Sequence, residues 1–109
     1  MTAQYIETLE GYGILFEAVP EEVVSPRHHF IEECGWTEAE YRKIRNFQWF
    51  AARVSAWKNG VELGVAYLGC CSYRTAKDFY TTYHDDYFSQ MAHEAVAEAR
   101  CRETSATPA

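Results

Sequence analysis

The sequence predicts a small α+β domain, a three-stranded antiparallel sheet with elements in the order β-α-α-β-β-α-α, packed against helices. Three observations predict it. Apolar residues alternate over 11–19 and on either side of an Asn59-Gly60 pair. They recur at helical spacing over 85–103. Capping signals punctuate the stretches between. A chain of 109 residues, 48% hydrophobic and 16% aromatic, is long enough to bury a core without disulfides or metal. Residues 1–103 are expected to form one globular domain, and the polar stretch 104–109 a disordered tail.

The elements follow in order. In 11–19, Tyr12, Ile14, Phe16 and Ala18 alternate with Leu15, Glu17 and Val19, the period of two of a strand, which Pro20 and the Glu21-Glu22 pair end. Ser25 as N-cap, Pro26 at the first helical position and Gly35 just past the end define a short helix over 26–34. Thr37 and Glu40 form a capping box, with Trp36 before the cap placed to pack on Tyr41, so a second helix begins at Glu38 and reaches about Arg45. Residues 46–68 read as a hairpin, since Asn59-Gly60 tolerates the positive φ of a tight turn and aromatic and β-branched residues flank it. The incoming arm is apolar on both faces near Phe47–Ala52, as in a central strand.

After the hairpin, Thr75 and Asp78 suggest another capping box, and Ala76, Phe79, Tyr80 and Tyr83 share one helical face. The last helix, 85–103, carries a core stripe of Phe88, Met91, Ala92, Ala95, Val96 and Ala99. Asp85 and Asp86 at its start and Arg100 and Arg102 near its end suit the helix dipole.

The adjacent thiols of Cys70 and Cys71 are the most chemical-looking feature of the chain. Adjacent Cα atoms lie about 3.8 Å apart, below the roughly 4.4–6.8 Å of bridged cysteines, so a disulfide between them is not expected. They are read as the end of the third strand, one side chain packed and one near the surface. A reactive thiolate beside Arg74, in a small thiol-dependent enzyme or ligand-binding domain, is the alternative. A structural zinc site needs ligands in close pairs, and no C-x2-C pair occurs. His93 and Cys101 stand eight residues apart, about 12 Å along a helix, too far to share one ion. No metal, cofactor or catalytic residue is therefore expected.

Charge is segregated along the chain. Residues 1–40 carry nine acids and one base, residues 41–77 seven bases and one acid, and residues 78–109 six acids and two bases, for a net charge of −6. An acidic protein repels phosphate backbones, which disfavours direct nucleic-acid binding and favours a protein partner with a basic surface. The stretch 78–88 interleaves Tyr80, Tyr83 and Tyr87 with Asp78, Asp85 and Asp86. Tyrosines beside carboxylates suit docking on arginine and lysine. The expected partner-binding residues are Tyr80, Tyr83, Asp85, Asp86 and Tyr87, joined by the exposed pairs Glu21-Glu22 and Glu32-Glu33. The first residues show no basic segment followed by an apolar one, and no apolar run nears the roughly 18 residues of a membrane span. An intracellular chain without membrane contact is expected, as monomer or homodimer.

This profile, a compact acidic domain with an acidic-aromatic surface around Tyr83, Asp85, Asp86 and Tyr87, resembles small phage-encoded inhibitors of the anti-CRISPR kind. The resemblance covers the whole chain as a profile and rests on no residue motif, so it assigns no residue a role. It implies a non-enzymatic inhibitor in the cytoplasm of a bacterial host. Such an inhibitor binds a basic surface of a CRISPR effector subunit and blocks nucleic-acid binding or activity.

Overall fold

The computed structural model describes residues 2–81 and 87–106. The α+β class stands, but the antiparallel sheet has four strands, in the order β1 (Thr2–Leu9), β2 (Tyr12–Val19), β3 (Gln48–Lys58) and β4 (Val61–Tyr73). The expected count of three missed β1. A bulge hides this strand, because Tyr5 pairs with Leu15 and Glu7 with Ile14, which leaves Ile6 as an extra residue. The period of two therefore breaks in mid-strand, and Tyr5 shares its face with Thr8. The turn into β2 places Glu10 at φ 52° and Gly11 at φ 89°. That is the double positive φ of a tight hairpin, with glutamate where Asn or Asp is the usual signal.

The β3–β4 turn is the expected one, with Asn59 at φ 54° and Gly60 at φ 77°. Strand β3 is central, between β2 and β4. Between β2 and β3, Ser25 caps the helical turn that follows it, its hydroxyl accepting from the His28 amide at 3.1 Å. The helix expected over 26–34 opens here into a π-helix, His28–Glu33. The wide turn lets the neighbouring rings of His29 and Phe30 lie against the same Trp49, at 5.6 and 5.9 Å.

Helix α1 (Glu38–Arg42) starts at the Thr37–Glu40 capping box, with both of its hydrogen bonds formed at 3.0 and 3.2 Å. Trp36 stacks on Phe30 at 4.6 Å, and Phe30 also faces Tyr41 at 6.3 Å, so the staple runs through Phe30. Helix α2 (Asp78–Thr81) is a single turn, with the Asp78 carboxylate accepting from the Thr75 amide at 3.3 Å. Helix α3 (Tyr87–Ala106) runs three residues into the segment expected to be a tail.

The core lies between α3 and one face of the sheet. Every residue of the expected α3 stripe is buried, against Ile14, Phe16, Val54, Ala56 and Ala66. Phe79 of α2 fills the open end, stacking on Phe16 at 5.5 Å and meeting Phe88 edge-on at 6.5 Å. Burying one such ring or branched chain contributes roughly 1.5–3 kcal/mol. The far end of α3 is clasped to the first hairpin, where the Tyr12 hydroxyl donates to the Glu103 carboxylate and Lys58 Nζ lies 3.6 Å from it. Glu98 reaches over the edge of β4 to accept the Val65 amide at 3.5 Å. No helix among the described residues is long and apolar enough to cross a membrane.

Candidate functional site: an acidic cleft at the β4 bulge

The Gly69-Cys70-Cys71 stretch interrupts β4 rather than ending it. Ala52 pairs with Leu68 and Phe50 with Cys71, so Gly69 and Cys70 together oppose the single residue Ala51. Cys70 sits at φ 56°, a left-handed conformation that a side chain adopts only at some cost. Glu21 holds it there. The Cys70 amide donates to Glu21 Oε1 at 2.8 Å, and the Val23 amide donates to Oε2 at 3.2 Å. A Cβ on Gly69 would come 2.8 Å from the same Oε1, so glycine leaves room for the carboxylate. The bulge is thus a backbone receptacle for an acid arriving from the other side of the chain.

That arrangement sets the electrostatics. The amide of Cys70 holds the Glu21 carboxyl below its ordinary range, so it is a fixed negative charge. Burial first, and Glu21 second, push the Cys70 thiol up. Cys71 turns inward and is buried, its thiol donating to the Leu68 carbonyl at 3.4 Å. One cysteine is packed and the other half-buried near the surface, as expected. All four cysteines are free thiols.

Beside the bulge, the π-helix leaves a cleft lined by His29, Phe30, Leu68, Cys70, Tyr73 and Tyr87. Tyr87 forms its rim and is 54% exposed. His29 points one ring nitrogen, Nδ1, at Glu33 Oε1 (3.3 Å) and the other, Nε2, at Cys34 Sγ (3.8 Å). Through His29, Glu33 and Cys34 are held beside the cleft. Beneath, Trp49 donates its indole N–H to the Val24 carbonyl at 2.9 Å and ties the loop after β2 to the sheet.

The residues expected to bind a partner fare differently. Glu21, Glu33 and Tyr87 gather around the cleft, with Glu22 and Glu32 exposed next to two of them. Tyr80 belongs to the core, its ring 5.1 Å from Phe16 and 6.1 Å from Phe88. Tyr83, Asp85 and Asp86 lie outside the described residues. The partner-binding set read from the sequence left out His29 and Phe30, which fell in the short helix expected over 26–34, and the backbone role of Glu21 had no sequence signal. Arg74, the cation expected to stand beside a reactive thiolate, places its guanidinium over the Phe47 ring at 5.7 Å. Among the described residues, no three His, Cys, Asp or Glu side chains gather as a metal site. Compared with known protein families, with curated proteins and with solved structures, the chain gives no match.

Proposed function

We propose that this protein is a non-enzymatic binding protein whose acidic, aromatic cleft takes up lysine or arginine side chains from a basic surface of a partner protein. The observation that carries the reading is the convergence of Glu21, Glu33 and Tyr87 with His29 and Phe30 around the β4 bulge. Each part suits a cationic side chain. The Glu21 carboxylate is ionised and fixed in place by backbone amides. Glu33 is exposed and lies against His29 of the cleft, and Glu32 and Glu22 extend the negative field outward. The exposed ring of Tyr87 can cover a guanidinium or the apolar stem of a lysine. The same field repels phosphate backbones, which favours a protein over a nucleic acid.

In its finer form the proposal follows the sequence profile. The partner is a CRISPR effector subunit, and the protein acts inside a bacterial host as a phage-encoded inhibitor that blocks nucleic-acid binding or activity. Tyr83, Asp85 and Asp86, which precede Tyr87 in the sequence, stay among the residues proposed to bind the partner. The thiol-enzyme alternative loses ground at Cys70, because a nucleophile needs its thiolate favoured and the surroundings here do the reverse.

The test is affinity capture from bacterial cells that express a CRISPR effector, followed by calorimetry on the purified partner. The double reversal Glu32→Lys, Glu33→Lys should weaken binding at least about tenfold, or about 1.4 kcal/mol, with an unchanged circular dichroism spectrum. Binding equal to that of the unmodified protein would sink the proposal.

A further inference from the structure

The sheet has a second face; the π-helix sits on it at Trp49, and over Arg53–Trp57 no helix among the described residues covers it. Pairing of the strands puts Tyr5, Leu15, Ser55 and Val65 in one cross-strand row of that face and Glu17, Arg53 and Tyr67 in the next. Two aromatic side chains are posed on it. The Trp57 indole N–H donates to the Ser55 hydroxyl at 2.8 Å, which lays the ring across the strand and buries the serine completely. The Tyr5 ring passes over Gly13, 3.3 Å from where a Cβ would stand, and its hydroxyl bonds to Thr8. The two rings flank an apolar slot floored by Gly13 and Leu15. Tyr5 is 56% exposed and Tyr67 63%.

The polar groups on this face are already matched. Arg53 gives Nη1 to Glu17 at 3.0 Å, Nη2 to Glu62 at 2.8 Å and Nε to the Tyr67 hydroxyl at 2.8 Å. One guanidinium thus holds two carboxylates, and no charge of this group is left without a partner. A face whose charges are bound to one another offers no free ion by which to select a basic or an acidic partner. Because its ions are already paired, covering it leaves no lone buried charge, which is the usual penalty for covering such groups. Aromatic rings and arginine around an apolar centre are what subunit interfaces enrich.

Size points the same way. With strands about 4.8 Å apart and a rise of about 3.3 Å per residue, four strands and three cross-strand rows make a face of roughly 19 by 20 Å. Its side chains raise the accessible area from about 400 Å² in projection towards the roughly 800 Å² per partner of a standard interface. We propose that two copies of this chain pack outer face to outer face about a twofold axis, as a homodimer with the slot between Tyr5 and Trp57 at its centre. This does not depend on the proposed role of the cleft, which lies elsewhere on the chain.

Sedimentation velocity over a micromolar concentration series tests it. The unmodified protein should sediment at twice the chain mass of 12.6 kDa. Tyr5→Glu on β1 and Tyr67→Glu on β4 should each raise the dissociation constant at least about tenfold, with the far-ultraviolet circular dichroism unchanged. Val23→Glu, at a 91% exposed position outside the sheet, should leave the dimer intact. A monomer throughout the series overturns the proposal. So does a dimer that Tyr67→Glu leaves intact, since one joined along the open edge of β1 would respond to Tyr5→Glu alone.

Discussion

Gly64 of β4 and Ala95 of α3 meet backbone to backbone. A Cβ built on Gly64 would lie 1.9 Å from the Ala95 carbonyl oxygen and 2.8 Å from the Ala99 amide nitrogen, far inside any allowed contact. Helix α3 can sit this low on the sheet because its facing residues, Ala92, Ala95 and Ala99, are small and buried. Gly64→Ala must therefore lift the helix or bend the strand. We expect a loss of about 1–3 kcal/mol or more, measured by urea denaturation. A midpoint equal to that of the unmodified protein would show that the helix does not seat on Gly64.

Arg53 joins three strands through Glu17 on β2 and Glu62 and Tyr67 on β4. Its side chain is only 19% exposed, between the near-neutral value of surface pairs and the several kcal/mol of buried ones. Arg53→Ala should cost about 1–2 kcal/mol, and a double-mutant cycle with Glu62→Gln should recover part of it. Additive losses would mean that the two side chains do not interact.

Glu21 contributes to the acid-side dependence of stability, together with Glu40, Glu62 and Glu103, whose carboxyls are also lowered. Its pKa is depressed in the folded protein, mainly by the Cys70 amide, so its contribution is present above the ordinary carboxylate pKa and is lost as pH falls through the folded value. The difference in stability between the unmodified protein and Glu21→Gln should be constant near neutrality and shrink as the solution is acidified below about pH 4.5. Denaturation at a series of pH values checks it. A gap that widens on acidification would contradict the assignment.

The thiols should react in a fixed order. Cys34 and Cys101 are exposed and Cys71 is buried, while Cys70 is half-buried and pushed up by desolvation and Glu21. Iodoacetamide near neutral pH, read by mass spectrometry, should label Cys34 and Cys101 first and Cys70 more slowly than a model thiol. Glu21→Gln should speed up Cys70. Fast labelling of Cys70 in the unmodified protein would revive the reactive-thiol alternative.

These residues also show where the sequence is informative. Local chemistry carried over well: the Thr37–Glu40 box, the Asn59-Gly60 turn and the stripe of α3 are set by neighbours within a few positions, and each is found in place. Strand β1 was lost because its bulge destroys the alternation and its turn uses Glu10 in a left-handed conformation without an Asn or Asp signal. The cleft was half legible. Glu21, Glu33 and Tyr87 were named for charge and ring chemistry, but what gathers them is the hydrogen bond from Cys70 to Glu21, across 49 positions of chain. Tyr80 was legible in two ways, as part of the apolar helical face with Ala76 and Phe79 and as a tyrosine beside carboxylates, and its ring packs with Phe16 and Phe88.

The central claim, that the cleft beside the β4 bulge receives basic side chains, is tested most directly by titrating isotopically labelled protein with a lysine- and arginine-rich peptide and following amide chemical shifts. Saturable shifts centred on residues 28–33, 69–73 and 87 are expected, weakened by salt and lost in Glu32→Lys, Glu33→Lys. Shifts confined to the outer face of the sheet or to the exposed side of α3, or none at all, would contradict it.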